Sequence, residues 1–296
     1  MEGLELIEPT ELYNILNQST EYPCVSDQNY LLLLDARSKC EFNESHVITS
    51  KKSPEDDEGN FIVPYNAELE CKEHVIVYDG NTQSVEEPSR AVRSASIMFN
   101  NGSKNNVKIL RGGYEEFSAL YPFLRTQETI YMPQELEDFK TYPIEIIPGL
   151  LYLGNKRQGS APYIFKDVKI KCAINCTMNE AEDVAPENPD VIDVPVTDCA
   201  EADISKYFEK ACRVIDNYKN RDQVVLVYSD LGISRSVAII LAYLIHTYNY
   251  PLDAAYKHVQ QCGMTVRPNR GFIQQLSKWE ETKFGECVTD ISDPRL

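Results

Sequence analysis

The residues from Tyr228 to Ser236, Y-S-D-L-G-I-S-R-S, have the types and spacing of a phosphate-binding turn that leads into an apolar helix. Gly232 can adopt a positive φ, and successive backbone N–H groups in such a turn converge on an anion. The start of the helix adds roughly half a positive charge. Arg235 adds a planar guanidinium that can bind two phosphate oxygens. The segment therefore predicts a site for a phosphate-type anion.

The predicted phosphate-binding residues are consecutive. They are Ser229, Asp230, Leu231, Gly232, Ile233, Ser234, Arg235 and Ser236. We expect the backbone of this segment to face the anion. Asp230 adds a charge close to the mouth of the site, although the side chains of such turns usually radiate away from the anion. An ion pair between Arg235 and a nearby carboxylate is the structural alternative to phosphate binding.

The centre of the turn lacks the side chains that would cleave a phosphate ester there. Tyr228 and Ser229 stand where an imidazole and a thiolate would be needed. Such a turn lowers the pKa of a thiol below its free value of about 8.5, whereas a serine hydroxyl starts far higher. No arginine stands six residues after any of the nine cysteines, and all four histidines lie outside the turn. A serine phosphatase is thus the less favoured alternative.

The turn resembles the signature of the cysteine phosphatases, H-C-x5-R-S/T, and in particular the dual-specificity loop H-C-x-A-G-x-S-R-S. Aligned on Arg235, this resemblance puts the family's nucleophile at Ser229 and its histidine at Tyr228. Residues 194–198, V-P-V-T-D, resemble the segment that ends in the general acid, which leaves a remnant of that acid at Asp198. The resemblance implies an inactive member of the family without a metal or other cofactor.

Two further segments extend this resemblance over residues 144–284. Residues 148–154 resemble the opening strand of the dual-specificity phosphatases. Residues 267–276 resemble their closing P-N-x-G-F-x-x-Q-L helix.

The first half of the chain resembles a rhodanese-like domain. Residues 34–47 follow the pattern D-x-R-x-x-x-E-F-x-x-x-H-I, and residues 110–117, L-R-G-G-Y-E-E-F, match the closing turn. The resemblance puts the persulfide cysteine of a sulfurtransferase at Asp79, so sulfur transfer is not expected.

A non-catalytic rhodanese-like module joined to a dual-specificity domain is the layout of the MAP kinase phosphatases, some of which are pseudophosphatases. This resemblance implies a scaffold or signalling regulator that binds phosphoproteins or signalling proteins, with active phosphatases or their clients as candidates. It does not favour MAP kinase docking, because Lys51 and Lys52 are followed by the acidic residues 55–58 instead of a basic cluster. The alternative is an interaction module with a vestigial pocket that works through its rhodanese-like surface.

Apolar runs flanked by turn residues alternate with helical patterns in both halves, which predicts two α/β domains. The predicted divisions are a rhodanese-like domain (1–125), a linker (126–143), a phosphatase-like domain (144–286) and a C-terminal tail (287–296). The expected strands lie at 30–35, 74–79, 107–110, 151–154, 173–176, 191–196 and 224–228. Thr10, Ser89 and Asp203 are expected to cap helices, and a helix pair is expected at 236–246 and 251–261.

The composition limits the classes of partner and compartment. A net charge of -17 disfavours nucleic acid and anionic membranes as partners. The dispersed cysteines are typical of a reducing compartment and do not form a zinc pattern. The sequence shows neither a transit peptide nor an apolar run that could span a membrane, so we expect a soluble protein of the cytoplasm. Import into an organelle such as the mitochondrion through a non-cleaved signal stays open.

Overall fold

A computed structural model describes residues 3–65, 67–179, 189–263 and 265–293 of the chain. The chain divides into two compact units, Met1–Thr141 and Tyr142–Leu296. Each unit combines helices with a mainly parallel sheet, which confirms the predicted class of two α/β domains. Within the described ranges, no helix has both the length and the apolar character needed to cross a membrane.

A parallel sheet forms the centre of the first unit. The strands of this unit are β1 (Leu4–Ile7), β2 (Leu31–Asp35), β3 (His46–Val47), β4 (Lys51–Lys52), β5 (His74–Tyr78), β6 (Val107–Leu110) and β7 (Arg125–Thr126). Its helices are α1 (Pro9–Asn17), α2 (Lys39–Glu44), α3 (Arg90–Asn100) and α4 (Gly113–Leu120). The sheet has the order β1-β6-β5-β2-β4 with parallel pairing throughout. Strands β3 and β7 pair with each other in antiparallel fashion.

The D-x-R and E-F-x-x-x-H patterns of this unit have structural roles. Arg37 donates from Nη2 to the buried Asp35 carboxylate over 2.6 Å and to the carbonyl of Ser45 over 2.7 Å. The ring of His46 stacks on Phe42 with a centroid separation of 3.9 Å. Its Nε2 lies 3.2 Å from the carbonyl oxygen of Glu128. Residue 128, in the predicted linker, is therefore bound to the first unit.

The two predicted helix caps of this unit have different outcomes. Ser89 caps α3, since its hydroxyl accepts a hydrogen bond of 3.2 Å from the backbone of Val92. The expectation for Thr10 is wrong, because α1 begins at Pro9 with Glu8 as its N-cap residue. A proline fits the first helical turn, where its missing N–H would have no partner.

The second unit is also built around a sheet. Its strands are β8 (Ile144–Ile147), β9 (Leu151–Asn155), β10 (Ile170–Asn175), β11 (Asp190–Asp193) and β12 (Val224–Ser229). Its helices are α5 (Lys156–Gly159), α6 (Pro162–Val168), α7 (Phe208–Lys219), α8 (Arg235–Tyr248), α9 (Leu252–Cys262) and α10 (Arg270–Phe284). The order is β11-β10-β12-β9-β8, in which only β8 runs antiparallel to its neighbour among the described strands. Strand β12 is central, and α8 is buried from Arg235 to Ile245.

Three helix starts in this unit differ from the predicted ones. Asp203 does not cap α7, which begins at Phe208 after a 3-10 turn; its carboxylate instead accepts from the hydroxyl of Ser205 over 2.7 Å. Helix α8 begins at Arg235 and so starts inside the predicted turn. Pro251 is the N-cap residue of α9 instead of its first helical residue.

Part of the predicted C-terminal tail is bound to this unit by the buried carboxylate of Glu280. One oxygen accepts from the backbone N–H of Leu252 and from the hydroxyl of Thr289, both over 2.7 Å. The other oxygen accepts from the backbone N–H groups of Val288 and Thr289 over 3.2 and 3.0 Å. The segment after α10 therefore packs against the start of α9.

Candidate functional site

The predicted phosphate-binding turn lies at the carboxyl end of the central strand of the second sheet. Ser229 is the last residue of β12, and Arg235 is the first residue of α8. Gly232 has a φ of +74°, and a Cβ atom at this position would lie 2.7 Å from the carbonyl oxygen of Gly154 at the end of β9. Only glycine allows both this conformation and this close approach.

Ser229 lies inside the turn. Its Oγ is 2.9 Å from Oγ of Ser236, and it accepts a hydrogen bond of 3.2 Å from the backbone N–H of Gly232. Both serines are buried. Neither partner is a base, so within the described ranges the hydroxyl of Ser229 has no hydrogen-bonded group that could remove its proton.

Arg235 is buried below the turn and contacts two carboxylates. Its Nη2 donates to Asp230 over 2.5 Å, and its Nη1 donates to the carbonyl of Val196 over 3.2 Å. Its Nε is 3.7 Å from Oδ2 of Asp198, and among the described residues this buried Nε–H has no hydrogen-bond partner. The side chain of Asp230 does not radiate away from the predicted site, because its carboxylate pairs with the guanidinium and forms the kind of ion pair that is the structural alternative to phosphate binding.

Asp198 belongs to a polar network that sequence reasoning did not assemble. Its Oδ1 accepts from the hydroxyl of Ser234 and from the side-chain amide of Asn269, each over 2.7 Å. The hydroxyl of Ser234 in turn accepts from the backbone N–H of Asn269 over 3.1 Å. Asn269 also caps α10 through a bond of 3.0 Å from the N–H of Phe272, a role that the P-N-x-G pattern could have indicated.

Tyr228 has only 4% of its surface exposed and packs beneath the turn. Its ring covers Gly159, where a Cβ atom would come within 2.5 Å of the ring. Its carbonyl accepts from the backbone N–H of Cys176 over 2.8 Å. The ring of Tyr228 is larger than an imidazole, and it fits here because Gly159 of α5 has no Cβ atom.

A cleft of about 790 Å³ opens above the turn. Its lining consists of Asp198, Ser229, Asp230, Leu231, Ile233, Ser234, Arg235, Arg267, Pro268, Asn269 and Arg270. Leu231 is 75% exposed at the rim. The cleft thus brings together the N-terminus of a helix of 14 residues, a buried arginine and a rim that includes apolar side chains.

Buried thiols of the second unit do not act as substitute nucleophiles. Burial raises the pKa of Cys176 to about 12, while the positive charge of Arg235 acts in the opposite direction. Burial likewise raises the pKa of Cys172 and of Cys212 to about 12. These thiols stay protonated near neutral pH.

The histidines of the second unit have partners elsewhere. His246 lies near the ring of Trp279, with a centroid separation of 5.8 Å. Nε2 of His258 is 2.9 Å from the carbonyl oxygen of Ile146. Neither contact involves Ser229.

The carboxylate of Asp79, in the first unit, accepts hydrogen bonds from the backbone of the turn in which it lies. Asp79 follows β5, and Oδ1 accepts from the backbone N–H groups of Asn81 and Thr82 over 3.3 and 3.1 Å. The hydroxyl of Thr82 donates to both carboxylate oxygens, and the N–H of Ala91 donates to Oδ2 over 3.0 Å. A carboxylate therefore occupies the centre of the turn that the sequence places after V-I-V-Y.

Comparison with protein families matches both units. The model described as "Dual specificity phosphatase, catalytic domain" matches residues 151–282, which include the turn, Asp198 and Asn269. The model described as "Rhodanese-like domain" matches residues 10–120, which include Asp79.

Individual relatives are similar to the chain over different shares of its length. Dual specificity protein phosphatase 1 of Homo sapiens is 29% identical over 305 residues, which cover 90% of this chain and 82% of the relative. Dual specificity protein phosphatase Mpk3 of Drosophila melanogaster is 35% identical over 145 residues, 48% of this chain and 35% of the relative. The similarity to the human protein therefore extends over both units.

Solved structures resemble the chain over about half of its length. Human DUSP28 has 28% identity and a TM-score of 0.45 over 47% of this chain and 93% of that one. The human tyrosine phosphatase-like serine/threonine/tyrosine-interacting protein has 24% identity and a TM-score of 0.44 over 48% of this chain and 98% of that one.

Proposed function

We propose that this chain, a member of the dual-specificity phosphatase family with a rhodanese-like domain ahead of its phosphatase domain, is a pseudophosphatase that binds phosphorylated proteins without hydrolysing them. The observation that carries the proposal is the side chain of Arg235. It lines the cleft, and no described residue accepts a hydrogen bond from its buried Nε–H. A buried donor without a partner costs about 1–3 kcal/mol, which an oxygen of a bound phosphoryl group would recover.

The electrostatics of the turn support an anion as ligand. Helix α8 directs its N-terminus at the cleft, and Arg235 adds a full positive charge that is held in place by the carbonyl of Val196. A volume of about 790 Å³ exceeds what a phosphate ion needs and leaves room for flanking residues of a protein segment.

The proposal excludes hydrolysis because Ser229 stands at the position of the family's cysteine nucleophile and Tyr228 at that of the preceding histidine. The hydroxyl of Ser229 contacts Ser236 and the N–H of Gly232, which are not bases. Asp198, at the general-acid position, accepts two hydrogen bonds through one oxygen. A bound phosphoryl group would thus meet no strong nucleophile, because the Ser229 hydroxyl is not hydrogen-bonded to a base among the described residues.

The pattern as a whole resembles the serine/threonine/tyrosine-interacting-like pseudophosphatases, so we assign this chain a scaffolding or regulatory role in signalling. Its partners would be phosphoproteins, active phosphatases or the clients of those phosphatases. MAP kinase docking is not part of the proposal. Glu55 accepts from Lys52 over 3.2 Å and from Arg90 over 2.6 Å, so nearby basic side chains are already paired.

A phosphotyrosine peptide titrated into the full chain and followed by NMR tests the binding part of the proposal. We expect chemical-shift changes at the turn that are lost in Arg235→Ala, with affinity reduced about a hundredfold or more since two charge-assisted hydrogen bonds disappear. Arg213→Ala is a matched control, because Arg213 is an exposed arginine of α7 that pairs with Glu209. Equal shifts in wild type and Arg235→Ala would contradict phosphate binding at this site.

Turnover of an aryl phosphate tests the catalytic part. We expect none, and activity of the purified chain that disappears in Ser229→Ala would refute the pseudophosphatase assignment. The second candidate, an interaction module with a vestigial pocket, is favoured by the ion pair of Arg235 with Asp230. Partner binding that is unchanged in Arg235→Ala would support this candidate instead.

A further inference from the structure

The carboxylate of Asp230 is a negatively charged group within the turn that pairs with Arg235. Its Oδ2 lies 2.5 Å from Nη2 of Arg235, the shorter of the two carboxylate contacts of this guanidinium. Asp230 also lines the cleft in which the proposed function puts the phosphoryl group. The carboxylate and that ligand would therefore compete for the same nitrogen and the same positive charge.

The contacts of Arg235 show which donors are in question. A guanidinium binds an oxyanion best through two parallel N–H groups, as in its pairs with phosphate. One N–H of Nη1 is bound to the carbonyl of Val196, so the edge of the guanidinium formed by Nε–H and Nη2–H is the pair of parallel donors left for a ligand. Nε has no hydrogen-bond partner among the described residues, whereas Nη2 is bound to Asp230. Asp230 thus satisfies only one of the two donors.

The carboxylate of Asp230 can leave this position without disturbing the turn. Its side chain is 43% exposed, so it can rotate into solvent. Its backbone is held separately, since its carbonyl accepts from the N–H of Lys156 over 3.3 Å. Asp198, in contrast, is fixed by Ser234 and Asn269. Asp230 is therefore the movable carboxylate of the two.

We propose that Asp230 is an internal competitor for the phosphate site, so that the turn binds a phosphoryl group only after this carboxylate has left Arg235. The inference rests on the proposed function, because it concerns the same site. A bound phosphate dianion would otherwise face two carboxylates, Asp198 and Asp230, and would share the guanidinium of Arg235 with them, in a cleft whose lining also includes Arg267 and Arg270. An anion must therefore bind Arg235 more strongly than Asp230 does, so weakly binding anions are excluded from the site.

Binding of inorganic phosphate and of a phosphotyrosine peptide to the full chain, at fixed pH and ionic strength, tests this competition. Asp230→Asn removes the charge and keeps an amide oxygen, and Asp230→Ala removes both. We expect both variants to bind phosphate about fivefold or more tightly than wild type, since even an exposed ion pair of about 1 kcal/mol corresponds to this factor. The gain should vanish when Arg235→Ala is added, because the two residues act on the same donor.

Asp253→Asn is the matched control, since it removes one carboxylate of the same unit that pairs with Lys257 on α9. If wild type and both Asp230 variants bind phosphate with equal affinity, and this binding requires Arg235, the proposed competition is refuted and the proposed function stands. A gain that persists without Arg235, or that Asp253→Asn reproduces, would overturn it as a general charge effect. Absence of phosphate binding in every variant would refute the proposed function and this inference together.

Discussion

The backbone of Gly232 allows a quantitative test of how the turn is held. In Gly232→Ala the new Cβ would lie 2.7 Å from the carbonyl oxygen of Gly154 and 3.0 Å from its carbon, on a residue with a φ of +74°. The carbonyl belongs to β9, whose residue Gly154 is paired in register with Tyr228 of β12, so it cannot yield cheaply. We therefore expect both a loss of stability and a displaced turn.

The control for this substitution is Gly149→Ala. Gly149 has a similar φ of +67°, but a Cβ there would meet no atom within 4 Å. An alanine in this conformation costs roughly 1–2 kcal/mol, partly offset by about 0.4–1 kcal/mol from the stiffer unfolded chain, so we expect a net loss near 1 kcal/mol. Overpacking against the carbonyl adds about 1–3 kcal/mol for Gly232→Ala, so the expected loss there is about 2–4 kcal/mol.

Urea unfolding followed by the fluorescence of Trp279 measures both losses, because this residue is the single tryptophan of the chain and lies in the second unit. Phosphate binding is measured on the same samples. We expect Gly149→Ala to bind as wild type does and Gly232→Ala to bind at least about tenfold more weakly, for a shift of the turn worth about 1.4 kcal/mol. The claim that the close approach to Gly154 defines the turn would be refuted by two results together: Gly232→Ala is as stable as Gly149→Ala, and it binds phosphate as tightly as wild type does.

Three further predictions concern the second unit. Tyr228→His combined with Ser229→Cys should produce hydrolysis of an aryl phosphate, because the new sulfur would accept the hydrogen bond that the N–H of Gly232 now donates to Ser229. A double variant that is folded but inactive would contradict this prediction. Glu280→Gln should lower the free energy of unfolding by roughly 3 kcal/mol, because the amide leaves buried donors unpaired, and denaturant titration measures this loss. Iodoacetamide at pH 8 should modify the exposed Cys40 and spare Cys176, whose pKa of about 12 keeps it protonated, until the chain unfolds; mass spectrometry distinguishes the two.

Local patterns in the sequence were sufficient to predict the α/β fold and the backbone conformation of the turn. The run at 224–228 is apolar at every position but its last and became the central strand β12, as expected for a strand covered on both faces. Gly232 was the natural place for a positive φ, and it has one. Both features depend on residues that are neighbours in the chain.

The side-chain partners could not be predicted in the same way. The bonds of Asp198 to Ser234 and Asn269 join residues 36 and 71 positions apart, so they require the packed fold. The pair of Asp230 with Arg235 spans only five positions, but it depends on the rotamer of an aspartate that could equally face solvent. The failed cap at Thr10 has a local cause, since Pro9 already serves as the first residue of its helix.

The aspartates of the two turns differ in how firmly each is held, which bears on the proposed binding of a phosphoryl group. Asp79 is 8% exposed and accepts from three backbone N–H groups and a hydroxyl, so no anion could enter this turn without breaking several buried bonds at once. Asp230 is held by a single guanidinium donor, its side chain is 43% exposed, and Nε of Arg235 has no hydrogen-bond partner in the part of the chain that the structure describes. In the proposed binding mode, a phosphoryl group would replace the single contact of Asp230 with Nη2 and would also accept from Nε. The carboxylate of Asp79 therefore has a structural role in the rhodanese-like turn, whereas the proposed competition requires only that Asp230 rotate away from Arg235.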